Sequence, residues 1–206
     1  MKKKNKMLSD VAPLLSETYG EAKSQLVLEY AWERYEQLCA ETASDSKAVK
    51  AHTHGDIFPC ISLYAALQRA GVAPEAAVEF LDRSWSRLAE PKARSMQAMC
   101  KIPGVYKLMP RIFRIVTEQQ FGEKAGFRAT FYPTDSTRVK FDMTQCLYCD
   151  VCRRYGVPEL VKCFCHTDDV TDGHIHPRLC WNRTKTMGEG GDVCDFDLIV
   201  TEKSKK

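Results

Sequence analysis

The sequence lacks any run near the ~20 consecutive apolar residues that a membrane-spanning helix needs. Its basic start, Lys2-Lys3-Lys4, runs into Asn5, Ser9, Asp10 and Glu17, with no apolar core of the signal-peptide kind. Charge of one sign is also scarce. The net charge is +3, and Lys2, Lys3, Lys4, Lys203, Lys205 and Lys206 carry six positive charges at the two ends, so the body between them is slightly acidic. A nucleic-acid groove needs Lys and Arg clustered on the folded body, and none is expected. These absences predict a soluble, cytoplasmic protein without a membrane or nucleic-acid partner; self-association into a homo-oligomer stays open.

Cysteine is abundant: ten in 206 residues. In a cytoplasmic chain these are reduced thiols, which ranks metal binding or catalysis ahead of a disulfide framework. Cys146-x-x-Cys149-x-x-Cys152 puts three thiols nearly on one helical face, and Cys163 and Cys165-His166 follow, so a zinc or iron–sulfur site is conceivable. The spacing argues against it. Structural zinc takes paired ligands from a knuckle turn, and Cys-x-Cys-His lacks the usual two-residue gap. No metal and no cofactor is expected.

Residues 1–125 read as a helical region. Leu8, Val11, Leu14 and Leu15, then Leu26, Tyr30, Tyr35 and Leu38, recur at helical spacing, with Gly20 separating two helices. Ala43 to Ala51 is polar and reads as a connection, and His52 and His54 as residues of a solvated loop or a cap, with Asp56 their nearest partner. Phe58 to Ala70 suits a helix ended by Gly71. Pro74 opens the next helix and Pro91 ends it. Two or three short helices follow between Met96 and Glu123.

Residues 126–202 read as an α+β, Cys-rich region that forms one compact unit with the helices. Gly126–Tyr132 and Arg138–Met143 alternate as strands; Cys146–Tyr155 and Pro158–Thr167 suit two short helices split at Gly156. Leu179–Thr186 and a second strand after the glycines of Gly188-Glu189-Gly190-Gly191 suit a hairpin with a tight turn. The expected fold is α+β: a helical N-terminal half packed on a C-terminal four-stranded antiparallel sheet with two short helices. Cys194, just after the glycines, reads either as a small buried residue or as a group with chemistry. Cys165 has Asp168 and Asp169 three and four residues on, so a continuing helix sets a carboxylate beside the thiol. That raises a thiol's pKa, and activation would need Arg183, His166, His174 or His176 nearby.

Several segments resemble one family in order and spacing. They are Lys140 to Cys146; Tyr155-Gly156-Val157-Pro158-Glu159-Leu160; Phe164-Cys165-x-x-Asp168; Trp181-x-Arg183-Thr184-x-Thr186-Met187; and Gly190-Gly191-Asp192-x-Cys194-Asp195-Phe196. Together they are similar to the L-2-amino-thiazoline-4-carboxylic acid hydrolase family, densely from Lys140 to Phe196 and more loosely over Ile57–Leu67. The last segment is also similar to vinyl-reductase-type ligand-binding domains, whose helices pack on an antiparallel sheet. The resemblance implies a hydrolase that opens 2-aminothiazoline-4-carboxylate, or a related C–N or C–S bond, to a carbamoyl-cysteine. It implies catalytic roles for Cys165, Asp168 and Cys194, with Arg183 and Cys146 binding a small carboxylate substrate. Cys165 would act as a nucleophile or orient water, and Asp168 would shuttle protons. A non-catalytic ligand-binding or sensor domain is the competing reading, and a thiol-metal protein a third.

Overall fold

A computed structural model describes residues 5–202. The chain opens with three helices, α1 (Lys6–Asp10), α2 (Ala12–Tyr19) and α3 (Glu21–Glu41). Asn5 caps the first through its side chain, which accepts from the Leu8 N–H. Gly20, at φ +80°, makes the break before α3 that few other residues would tolerate.

Ala43 to Ala51, expected as a plain connection, holds a further helix, α4 (Lys47–His52), capped by Ser46. One π-helical turn, Thr53–Ile57, then leads directly into α5 (Phe58–Arg69). Of the two roles expected for His52, the solvated loop is overturned, while a capping contact is present: its Nε2 lies 2.8 Å from the carbonyl oxygen of Gln120, which ends a later helix. His52 is buried, with its ring 5.1 Å from Phe121, 4.9 Å from Phe127 and 5.9 Å from Tyr148. Polar composition misled here because the helix is short and its one important side chain is itself polar.

The next helix, α6, runs Pro74–Cys100 and passes through Pro91 instead of ending there. Proline removes one backbone donor and crowds the preceding turn, a penalty of about 3 kcal/mol. On the other side of the balance is a buried face that continues past it. Ala77, Val78, Leu81 and Trp85 precede Pro91, Ala93 and Cys100 come after it, and Pro91 itself is exposed. After a 3-10 turn, α7 (Met109–Gln120) completes the helical half.

The sheet comes from β1 (Arg128–Phe131), β2 (Arg138–Gln145), β3 (Leu179–Asn182) and β4 (Cys194–Val200), in the order β1-β2-β4-β3 with every pair antiparallel. Between β2 and β3 lie α8 (Leu147–Arg154) and α9 (Val161–Asp172). The fold is α+β, with helices laid on an antiparallel sheet. Alternation along β2 buries Val139, Phe141 and Met143 on one face. Their partners on β4 share that face: Phe141 pairs with Phe196, rings stacked at 4.8 Å, and Met143 pairs with Cys194. Phe113 of α7 covers the pair, 6.2 Å from Phe141. One hydrophobic cluster runs without a break from Leu8 to Leu198.

The connection from β3 to β4 is longer than the tight turn expected from its glycines. Residues 183–193 include a 3-10 turn, Met187–Glu189, and Gly190 comes next at φ +90°. No helix among the described residues is long and apolar enough to cross a membrane.

Candidate active site

α9 carries Cys165 and Asp168 one turn apart, on one side of the helix. Arg183, immediately after β3, reaches back to this helix. It donates from Nη1 to Asp168 Oδ2 at 3.0 Å, and from Nη2 to Asp169 Oδ2 at 2.7 Å and to the Cys165 carbonyl at 2.8 Å. Trp181 Nε1 also donates to Asp169, at 3.1 Å. Asp169 is thus held between Trp181 and Arg183, and Asp168 is left to face inward.

The inward side is a cavity of about 630 Å³, enclosed by the sheet face, α4, the π-turn, α6, α8 and α9. Cys146, Cys165, Asp168, Arg183 and Cys194 all line it. These five candidates, from four separate stretches of chain, meet in one space.

The β3–β4 connection touches two of the thiols. The Met187 N–H donates to Cys194 Sγ at 3.2 Å, and Gly188 lies against Cys165. Burial pushes the Cys165 thiol up to about 12, helped by the Asp168 charge, and pushes Cys194 up to about 11, against the pull of the Met187 N–H. A hydrogen bond with Cys149 and burial raise Cys146 as well. All three thiols are therefore protonated at neutral pH, and the thiolate is the nucleophilic form.

Asp168 differs. Its side chain keeps 44% of its surface open, onto the cavity, yet protein surrounds it. Burial pushes its carboxyl up to about 7, with Arg183 pulling down and Asp172 and Asp169 pushing further up. A carboxyl poised there accepts and returns protons at neutral pH. Arg183 is committed to this carboxyl. Its side chain is only 3% exposed, and both Nη2 hydrogens are used. Lys92 of α6, at the rim of the cavity, has no carboxylate within ion-pair distance among the described residues.

The histidines named as activators lie elsewhere. His166 Nδ1 sits 2.7 Å from Asp82, and His176 stacks on Tyr106 at 4.3 Å. Neither these two nor His174 lines the cavity. The other α8 and α9 cysteines, Cys149, Cys152 and Cys163, are core residues. No group of three or more His, Cys, Asp or Glu side chains among the described residues is arranged to hold a metal ion.

Sequence reasoning missed the opposite wall, where His52, Asp56 and Tyr148 line the same cavity. A signal was present in His52-x-x-x-Asp56, a one-turn spacing, and in Tyr148 two residues after Cys146.

Among solved structures, the chain is similar to the NMR structure of the SO2144 H-NOX domain from Shewanella oneidensis in the Fe(II)CO ligation state. Identity is 11% and the TM-score 0.37, over 98% of this chain and 100% of that one. A likeness at that level carries nothing over to this chain. A search of curated proteins returned no match. The family model for L-2-amino-thiazoline-4-carboxylic acid hydrolase matches residues 50–198, a span that holds all five candidate residues. The chain belongs to the L-2-amino-thiazoline-4-carboxylic acid hydrolase family.

Proposed function

We propose that this protein hydrolyses a small cyclic amidine acid of the 2-aminothiazoline-4-carboxylate type, giving a carbamoyl-cysteine. The observation that carries the reading is the convergence on one cavity of a carboxyl poised near neutrality, Asp168, with its arginine and three thiols. The reacting carbon of such a ring lies between two nitrogens and a sulfur. Its hydrolysis needs an activated water, a proton for the departing atom and a site for the carboxylate.

Asp168 takes the proton from water as general base, a contribution of roughly 10²–10⁴ in rate. Of the two roles open to Cys165, orienting that water is favoured over covalent attack, because burial keeps its thiol protonated. Cys194 and Cys146 shape the wall beside it. Arg183 holds Asp168 in position and draws its pKa down towards neutrality. The substrate carboxylate then falls to Lys92 at the rim, a cation with no carboxylate at ion-pair distance among the described residues.

Liberation of carbamoyl-cysteine from 2-aminothiazoline-4-carboxylate, followed by mass spectrometry, tests the reading. Asp168→Asn is expected to lose about a hundredfold or more in kcat, while Cys165→Ala and Cys194→Ala each stay within about tenfold of wild type. Absence of turnover by the wild type, or full activity in Asp168→Asn, would overturn it.

A further inference from the structure

The same cavity holds a second polar cluster. The π-turn sets His52 and Asp56 on the same side of the chain, and Tyr148 of α8 bridges them. Its hydroxyl lies 3.3 Å from His52 Nδ1 and 3.3 Å from Asp56 Oδ2. His52 Nε2 lies 2.8 Å from the Gln120 carbonyl oxygen. A carbonyl only accepts, so Nε2 carries a hydrogen. The tyrosine has a single hydroxyl hydrogen for two neighbours. With the tyrosine accepting from one neighbour and donating to the other, and no proton on the free Asp56 oxygen, two arrangements satisfy both contacts. In one, a protonated Asp56 donates to Tyr148, which donates to a neutral His52. In the other, a His52 cation donates to Tyr148, which donates to an Asp56 carboxylate. They differ by one proton moved along the chain.

The other Asp56 oxygen receives no hydrogen bond from any described residue, and Asp56 lines the cavity. The rings of Phe121, Phe127 and Phe164 line the same space, with Tyr148 4.8 Å from Phe164 and 5.9 Å from Phe127. A carboxyl oxygen without a hydrogen-bond partner, in a cavity with aromatic walls, suits a flat organic cation or its neutral conjugate base.

We propose that the Asp56–Tyr148–His52 cluster is the amidine-binding half of this cavity, receiving the N–C–N edge of the substrate and supplying the proton that its nitrogen takes up during hydrolysis. A neutral amidine against Asp56 protonated on its free oxygen, and an amidinium against the Asp56 carboxylate, are one pair with the proton in two places, so the cluster accommodates either.

This rests on the hydrolase reading above, and the protons balance. Asp168 takes one from water as the oxygen–carbon bond forms. The π pair of the C=N bond moves to nitrogen, which takes the proton carried by the free Asp56 oxygen and leaves a carboxylate that accepts from Tyr148. The ring bond then breaks with its pair on the leaving atom, which takes the hydroxyl proton of the adduct. Asp168 returns its proton and the cluster regains one through solvent when product leaves. The other titratable groups that face the cluster are Lys92, which acts on Asp56, and Asp168 and the Cys146 thiol, which act on Tyr148.

Binding, measured without turnover, tests this. Calorimetry compares 2-amino-2-thiazoline, a cyclic amidine with no carboxylate, with thiazolidin-2-one, its non-basic counterpart. Wild type is expected to favour the amidine by about tenfold or more, as a charge-assisted hydrogen bond would. Asp56→Asn should abolish the preference, and Asp168→Asn should keep it. Tyr148→Phe, a second variant should Asp56→Asn fail to fold, should reduce the preference and lower kcat more than it raises KM. An unchanged amidine preference in Asp56→Asn, or in Tyr148→Phe if that alone folds, would overturn the assignment. Because binding is read directly, failure of the thiazoline acid to turn over would count against the hydrolase reading alone.

Discussion

Gly188 lies against Cys165 so closely that a methyl group on its Cα would come within 3.0 Å of the thiol sulfur and 2.8 Å of Val161 Cγ1. The glycine is there for want of space, since its φ lies outside the left-handed region. Gly188→Ala is expected to lose about 1–3 kcal/mol through overpacking and to push the thiol into the cavity. Gly190→Ala is the useful contrast. Gly190 has φ +90° and open space around it, so alanine there should lower stability by about 1–2 kcal/mol through the backbone and leave turnover near wild type. Urea denaturation beside a rate measurement separates the two.

The raised Asp168 carboxyl gives the pH dependence a sign. As a base it works ionised, so kcat/KM should climb with pH through about 7 and level off above. Arg183 pulls that value down, so Arg183→Met should move the climb to higher pH. The same variant loses three hydrogen bonds from a side chain 3% exposed, and should fall by roughly 2–3 kcal/mol in stability.

Stability should run the other way with pH. A carboxyl whose pKa is raised on folding holds a proton that the unfolded chain has released. Asp168, at about 7, and Asp172, pushed up to about 6 by burial, therefore favour folding at low pH. That contribution is lost as pH rises from about 4 towards 7. Thermal melts across this window should show a decline, and Asp168→Asn should flatten it.

Pro91 offers a change of opposite direction. It is exposed inside α6 and withholds a backbone donor. Pro91→Ala should stabilise the protein by about 1–3 kcal/mol, read as a higher urea midpoint, with activity unchanged.

Much of the fold was legible because it rests on local patterns. The period of two in Val139, Phe141 and Met143, the helical spacing of Leu8, Val11 and Leu15, and the stop at Gly20 each state their structure within a few residues. Pro91 misleads because the buried face of a 27-residue helix outweighs one missing bond, and that face is settled by packing on α9. On the site, Cys165 and Asp168 were legible together because one helical turn links them. Convergence of Cys146, Arg183 and Cys194 on them needed the fold. His52 reads as solvent-facing since nothing local reveals that Phe121, Phe127 and Tyr148 will close around it.

The π-turn at Thr53–Ile57 makes the His52–Asp56 wall a matter of register as well as residue identity. A π-turn is a helix with one residue too many. Removing one, for instance Gly55, would let α4 run into α5 as a regular helix and rotate the residues before the deletion by about 100° against those after it. Both side chains would survive in the sequence, now three residues apart, but His52 would swing to the other flank of Asp56. A relative could keep His and Asp here, be one residue shorter, and present the pair to Tyr148 at a different angle.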